Sequence, residues 1–338
     1  MTSPTASVHR VATSIPEPTG GLQRFLHRQA WTTGVAVLMV LLVLWRTSQV
    51  PHFGDFEIRT ITAGAMSLAF LAMAQALVVI SGGIDLSVGA MLVFTNCLSA
   101  LWMDGKGLGE CIGIAVAVVA IAIAMSSLIG VIITVSGVPD IIVTLAASFT
   151  ISGLALVVLK SPGGGASLDF QKLVAGGLND YWPSLLWTVG TLALVWLPLR
   201  RTRLGLAIYA VGSNRGASFL AGVNVARTRV LAYSLGGLFA GLAGIITTAY
   251  TGGGEPRASI GANATLNSVA AVVLGGVALT GGVGGLAGPV MAAVCLSLIP
   301  AIMLGRGWDP SYAETWRGVI IIAVVLVGGL VQTRRRAT

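Results

Sequence analysis

The sequence predicts an all-α membrane protein with about ten transmembrane helices. Hydrophobic residues make up 55% of the chain and charged residues only 9%, whereas an ordinary soluble domain carries about 25% charged residues. The mean hydropathy is +0.89. Apolar runs of about 20 residues, the length that crosses a bilayer as a helix, recur along the chain. The solvent for most of the protein surface is therefore expected to be lipid.

Ten apolar runs are candidate spans, and the alternating ten-residue strands of a membrane barrel are absent. Together they form one predicted transmembrane domain over residues 30–332, between a polar tail at 1–29 and a basic tail at 333–338. The tail at 1–29 precedes the first apolar run and does not have the order of a secretory signal peptide. In chain order the predicted spans are Ala30–Trp45, Ile61–Ile80, Ile84–Met103, Cys111–Val135, Ile141–Leu159, Trp182–Leu199, Val230–Tyr250, Ala262–Leu279, Leu286–Leu304 and Gly318–Gln332.

The charges predict the orientation of these spans. With the N-terminus placed in the cytoplasm, the internal segments hold twelve of the 20 Lys and Arg residues and one acid, Glu17. The external segments hold the other eight basic residues together with nine acids. This asymmetry follows the positive-inside rule. It predicts a multi-pass membrane protein with both termini and the loop 200–229 in the cytoplasm, and it explains the excess of Arg without nucleic-acid binding.

The sequence offers no catalytic, cofactor-binding or metal-binding pattern. Cys97, Cys111 and Cys295 lie in or beside apolar runs without CxxC spacing, as expected of packed side chains. No GxxxxGK[ST] phosphate loop, HExxH motif or Ser/His/Asp set is present. The chain is therefore predicted to be neither an ATPase nor another enzyme.

The most distinctive segment is Ser81–Gly89, with the sequence SGGIDLSVG. Its two adjacent glycines are expected to end or kink a helix. A carboxylate at membrane depth is costly and suggests function, so Asp85 has two interpretations. It caps the following helix through the amides of Ser87 and Val88, or it acts directly in a path or gate.

Part of this segment recurs later in the chain. Ser81–Ala90 aligns without gaps on Thr280–Pro289, with three glycines matched in each copy. Transporters commonly carry paired glycine-interrupted segments in their two halves, beside the translocation path. The two copies face the same side in the predicted topology, which suits a parallel repeat. An inverted repeat would require one span fewer or more, and a glycine-rich sequence also produces such matches by chance.

Three segments give the chain a specific resemblance to the ribose/xylose/galactofuranose-type permeases of ATP-binding-cassette (ABC) importers. SGGIDLSVG resembles the first signature of that family, Gly212–Val223 its cytoplasmic coupling segment, and Leu266–Gly288 its third signature. The chain differs from the usual pattern of that family at two places. Ala264-Thr265 replaces an aromatic–Glu pair, a difference that affects which substrate is expected. Ala217-Ser218 replaces Ala-Ala, a difference that affects the expected stiffness of the coupling helix.

The resemblance implies a type II-like permease subunit of the bacterial plasma (inner) membrane that imports a ribose-, xylose- or galactose-like sugar. Its implied partners are a cytoplasmic ATPase, an extracytoplasmic sugar-binding protein and a second permease, either a copy or a paralogue. The implied ATPase-coupling residues are Asn214, Arg215, Ala217, Phe219, Leu220 and Gly222, with Phe219 and Leu220 as apolar anchors and Arg215 at the rim. The implied path or gate residues are Gly82, Gly83, Asp85, Ser87, Asn96, Gly281 and Gly282.

Two other functions stay open from the sequence. One is a permease for another small polar solute, such as a nucleoside, a polyol or a branched amino acid. The other is an ion-coupled secondary transporter, which requires ionisable groups inside the membrane. The sequence offers only Asp85 and the boundary residue Asp140 for that purpose, which favours the ATP-driven class.

Overall fold

The computed structural model describes residues 30–50 and 52–307, together with the isolated residues 312, 315, 316, 318, 319 and 322. Apart from one isolated β-bridge between Gly163 and Gly254, the regular structure of this described part is helical. The helices are α1 Ala30–Gln49, α2 Asp55–Ile80, α3 Val88–Met103, α4 Leu108–Ser136, α5 Asp140–Val158, α6 Leu168–Ala175, α7 Trp182–Leu199, α8 Arg203–Ser213, α9 Arg215–Leu220, α10 Val225–Thr251, α11 Ala258–Leu274 and α12 Ala287–Gly305.

The predicted all-α membrane fold is confirmed. Helices α1, α2, α4, α5, α7, α10 and α12 are long and apolar enough to cross a membrane, and α3 and α11 are shorter apolar helices of 16 and 17 residues. Each of the first nine predicted spans overlaps one of these helices. The tenth, Gly318–Gln332, lies outside the described residues except at isolated positions, as do the predicted tails 1–29 and 333–338.

Several predicted boundaries differ from the structure; for example, α2 begins at Asp55 and not at Ile61, and α10 begins at Val225 and not at Val230. The third and eighth spans differ for identifiable local reasons. The third span was expected from Ile84, but α3 begins at Val88, because residues 81–87 form a turn that the Asp85 side chain holds. The eighth was expected over Ala262–Leu279. Helix α11 instead begins soon after Pro256 and ends at Leu274, where Gly276, with φ of +82°, turns the chain. Glycine adopts this backbone region at no steric cost.

The core is built around α3, which is buried at 14 of its 16 positions. Helices α2, α4, α5, α10 and α11 pack around it. The outer helices α1, α4, α5 and α7 expose many large apolar side chains, including Val40, Leu41, Val116 and Leu194. This distribution is the one expected of a bundle in lipid, where an apolar surface carries no penalty.

Small residues bring the central helices close together. A Cβ atom on Gly244 of α10 would lie 2.0 Å from Thr95 Oγ1 and 2.5 Å from the Leu92 carbonyl oxygen of α3. On the same helix, a Cβ atom on Gly237 would lie 2.6 Å from Ser126 Oγ of α4. The small-residue spacings of α10, which the sequence left open between packing within and between subunits, therefore pack within this chain.

The loops gather at two ends of the bundle. We call one the arginine-rich end; it comprises residues 81–87, 137–139, 200–224 and 275–286. The opposite end comprises residues 52–54, 104–107, 159–181 and 252–257. Contacts within each group define it: Tyr209 Oη donates to the Gly284 carbonyl at the arginine-rich end (2.6 Å), and the Gly163–Gly254 bridge joins two loops at the opposite end. The spans therefore alternate in direction as the charges predicted.

The two copies of the sequence repeat lie side by side at the arginine-rich end. The Gly282 amide, in the second copy, donates to the Ile80 carbonyl, immediately before the first (2.9 Å). The following helices, α3 and α12, begin at Val88 and Ala287, which are matched positions of the alignment. The match in sequence therefore corresponds to a match in local structure.

Candidate functional site

Two short helices, α8 and α9, lie against the repeat at the arginine-rich end. Thr202 caps α8 by accepting a hydrogen bond from the Gly205 amide (3.2 Å). At the end of α8, a Cβ atom on Gly212 would lie 1.9 Å from the Ile80 carbonyl oxygen and 2.7 Å from the Gly282 nitrogen. The backbone of α8 therefore touches both copies of the repeat, and no larger residue fits at this position.

Helix α9 carries the predicted coupling residues. The Asn214 side chain caps it by accepting a hydrogen bond from the Ala217 amide (2.9 Å), as Asn does at helix N-termini. Beyond its end, Gly222 turns the chain with φ of +80°. Phe219 is 71% exposed and Leu220 87% exposed. Two adjacent large apolar side chains thus project from a capped helix at the arginine-rich end.

A shallow groove adjoins the exposed apolar pair. Phe219 forms part of its wall, and the rest comes from the turn after α9, the start of α10 and the end of α4, through Thr134, Gly222, Val223, Asn224, Val225, Ala226 and Arg229. Exposed apolar side chains beside a groove are typical of a surface on which another protein docks.

Arg215 joins α9 to the first copy of the repeat. One of its guanidinium nitrogens donates a 2.6 Å hydrogen bond to the Gly82 carbonyl. The sequence placed Arg215 at the rim of a docking surface, and the structure adds this contact. A displacement of α9 would therefore act directly on the turn before α3.

A buried ion pair lies behind that turn. Arg229 of α10 contacts both carboxylate oxygens of Asp140 of α5 at 2.5 Å, and Tyr233 Oη donates to Asp140 Oδ2 at 3.1 Å. The two charged side chains are only 8% and 13% exposed. A Cβ atom on Gly83 would lie 2.7 Å from Asp140 Oδ2. The sequence analysis missed this cluster, because no local pattern links residues 89 positions apart.

Asp85 organises the turn that precedes α3. Its Oδ1 atom accepts hydrogen bonds from the Ser87 amide (2.7 Å) and the Ser87 hydroxyl (2.6 Å). Asp85 and Ser87 are 2% and 1% exposed. The predicted bond from Ser87 is present, whereas the predicted bond from the Val88 amide is absent from the contacts of Asp85 in the described part of the chain. The side chain stabilises the turn before the helix.

Asp85→Asn is expected to preserve transport within a few-fold, because the Asn Oδ1 atom accepts both hydrogen bonds from Ser87. Uptake of the transported solute at matched expression is the measurement. Near-complete loss of uptake in a correctly assembled protein would mean that the charge itself acts in the path or gate.

Asn96 fixes a loop at the opposite end of the bundle. Its Nδ2 atom donates to Thr248 Oγ1 (2.9 Å) and to the Gly253 carbonyl (3.0 Å), and its Oδ1 atom accepts from the Glu255 amide (2.9 Å). Both ends of the amide are therefore bonded, and the side chain is 2% exposed. Asn96 positions the loop that leads into α11.

The predicted path residues do not share one location. Asn96 lies towards the opposite end, whereas the others belong to the paired repeat turns at the arginine-rich end. Gly83, Asp85, Ser87, Asn96 and Gly281 are buried, and Gly82 and Gly282 are half-buried. Within this chain they are packed against neighbouring segments, so any role in gating would come from movement of the turns.

Comparison with known proteins agrees with the three motifs. Residues 58–327 match the family model described as the permease component of branched-chain amino acid transport systems. The ribose import permease of Escherichia coli strain K12 is 32% identical over 295 residues, covering 86% of this chain and 91% of the relative. The fructose import permease of Rhizobium meliloti is 28% identical over 320 residues, covering 90% and 87%.

A further relative is the ribose import permease of Bacillus subtilis strain 168, 31% identical over 260 residues, covering 76% of this chain and 80% of the relative. No solved structure gives a significant match. The resemblance predicted from the motifs is confirmed, and the chain belongs to this family of membrane-embedded permease components.

Proposed function

We propose that this chain forms the membrane path of an ABC importer for a monosaccharide. The observation that carries the proposal is the exposed pair Phe219–Leu220 on the capped helix α9, which is bonded through Arg215 to the turn before α3. When a partner bound to α9 moves, the paired repeat turns would move with it. The relatives are ribose and fructose import permeases, which supports the choice of solute.

In the proposed arrangement the arginine-rich end faces the cytoplasm, as the positive-inside rule requires. A cytoplasmic ATPase docks on α9 and the adjoining groove, and α9 is the helix that fits into the surface of the ATPase. A binding protein delivers the sugar at the opposite end. A second permease, a copy or a paralogue, completes the path, and this chain itself performs no catalysis.

An amino-acid permease is the second candidate, because the description of the matching family names branched-chain amino acids. The ion-coupled alternative has less support. Asp140, one of the two acids that the sequence offered for coupling, is paired with Arg229, and Asp85 is engaged with Ser87. Asp140 cannot exchange an ion without breaking its pair with Arg229.

The test compares host cells lacking this chain with the same cells after its restoration. Uptake of labelled D-ribose, D-xylose, D-galactose, D-fructose and L-leucine is measured in both. Restoration is expected to raise the uptake of one or more sugars and to leave leucine unchanged. A rise for leucine alone would contradict the sugar proposal and support the second candidate.

A further inference from the structure

A row of polar side chains follows the exposed face of α11. Ser259 and Asn263 are exposed, Asn267 is half-buried, and the three are spaced four residues apart. Residues at this spacing lie on the same face of a helix. We call Ser259, Asn263 and Asn267 the amide stripe. At a rise of about 1.5 Å per residue it extends for roughly 12 Å along the helix axis.

The side chains of Asn263 and Asn267 make no hydrogen bond within the described part of the chain. Asn96, on the neighbouring helix α3, has both ends of its amide bonded. An amide that faces hydrocarbon without a partner costs several kcal/mol. Polar side chains within spans therefore face protein or a water-filled cavity and commonly mark substrate pathways.

The rest of the outer surface has a different character. The exposed faces of α1, α4 and α7 carry large apolar residues such as Leu44, Leu128 and Leu186. Those faces suit lipid. Leu266, which is 65% exposed, lies beside the stripe on α11, so this face is mixed, and its amides are the part that lipid does not suit. The stripe consequently marks the side of the bundle that is turned away from lipid in the assembled transporter.

The position of α11 connects the stripe to the outside. A cleft at the opposite end of the bundle is lined by Lys160, Glu255, Arg257 and Ala258, with neighbouring residues from the end of α5. Ser259 follows directly, and Asn263 and Asn267 lie deeper along the helix. The stripe thus leads from a surface cleft towards the middle of the membrane, where transporters commonly bind their solutes.

The buried side of α11 is fixed to the signature segment. Thr265 Oγ1 accepts a hydrogen bond from the Gly89 amide (3.1 Å), and a Cβ atom on Gly89 would lie 2.0 Å from the Gly261 carbonyl oxygen. A movement of the turn that contains Asp85 would therefore carry α11, and the stripe, with it.

We propose that the amide stripe is the part of the path wall that contacts the sugar, at the face this chain turns towards the second permease. The inference rests on the proposed function. A carboxamide both donates and accepts hydrogen bonds without carrying charge, which suits the hydroxyl groups of a neutral sugar. A zwitterionic amino acid calls instead for charged or dipolar partners at its ammonium and carboxylate groups, and the stripe contains no charge.

The test uses the complete transporter in liposomes with the paired variant Asn263→Leu/Asn267→Leu. Both positions are expected to tolerate Leu in the fold, because Leu favours helix, Asn263 is exposed and Asn267 is only half-buried. Loss of the hydroxyl contacts is expected to lower the rate of sugar uptake about tenfold or more. ATP hydrolysis and the size of the purified complex are expected to stay as in the parent. Thr150→Leu, at an exposed polar position in the middle of α5 whose hydroxyl, within the described chain, bonds only to its own helix, is the matched control and keeps the parental rate.

The possible results separate the two proposals. Uptake by the paired variant within about twofold of the parent would overturn the stripe, while the function would stand. Dissociation of the complex would also overturn it, because it would show that the amides serve packing between subunits. A parent transporter that carries leucine and no sugar would contradict the proposed function and, with it, this inference.

Discussion

Arg229→Ala is expected to destabilise the folded protein by about 3–5 kcal/mol, because it leaves the Asp140 carboxylate buried without its partner. Asp140 is 13% exposed, and its remaining polar contact among the side chains described is Tyr233. The change also removes a link between the start of α5 and the start of α10, directly behind Gly83. The measurement is the yield of monodisperse protein in detergent together with the free energy of unfolding.

Two control variants isolate the ion pair. Arg227 is exposed and two residues away, so Arg227→Ala is expected to behave as the parent. The paired variant Asp140→Leu/Arg229→Leu removes both charges and is expected to recover most of the lost stability, since buried ion pairs are often replaced by apolar groups at little cost. If Arg229→Ala is as stable as the parent, the ion pair does not hold these helices together.

Phe219→Ala/Leu220→Ala is expected to abolish ATP-driven uptake while leaving the fold intact. Both side chains are largely exposed, so their truncation removes little packing within the chain. Large side chains at the centre of a protein interface commonly contribute about 2 kcal/mol or more each to binding. Loss of two such anchors is expected to weaken binding of the ATPase by about a thousandfold.

The measurement is the affinity of the purified permease for its ATPase, with the thermal midpoint of the permease as the check on folding. Leu178→Ala is the matched control, because Leu178 is 74% exposed at the opposite end of the bundle. It is expected to bind the ATPase as the parent does. Equal ATPase binding by the paired variant and the parent would contradict docking on α9.

Much of the fold follows from local sequence. Nine of the ten spans predicted from apolar runs overlap helices of the described chain, seven of them long enough to cross a membrane and two shorter. The distribution of Arg predicts which loops share an end. The errors lie at helix boundaries, where side-chain bonds and glycines decide the start and end. The bond from Ser87 to Asp85 holds a turn, so α3 begins at Val88, later in the chain than predicted. Gly276 turns the chain after α11, which ends before its predicted last residue. Apolar content alone does not predict such contacts.

The candidate site was predictable only where it is local. Asn214, which caps α9, and the apolar pair Phe219–Leu220 lie within one short segment of sequence. The exposure of that pair agrees with the predicted docking helix. The Asp140–Arg229 pair and the bond from Arg215 to Gly82 join residues that are far apart in the chain. Their geometry depends on the packing of the whole bundle, so no spacing rule reveals them.

Energised uptake in liposomes tests the central claim most directly. The complete transporter, with this chain, its ATPase and its binding protein, is reconstituted so that the sugar lies on the side of the binding protein. The account predicts sugar accumulation when ATP is supplied on the side of the ATPase and none with an ion gradient alone. Accumulation driven by a proton or sodium gradient without ATP would contradict it.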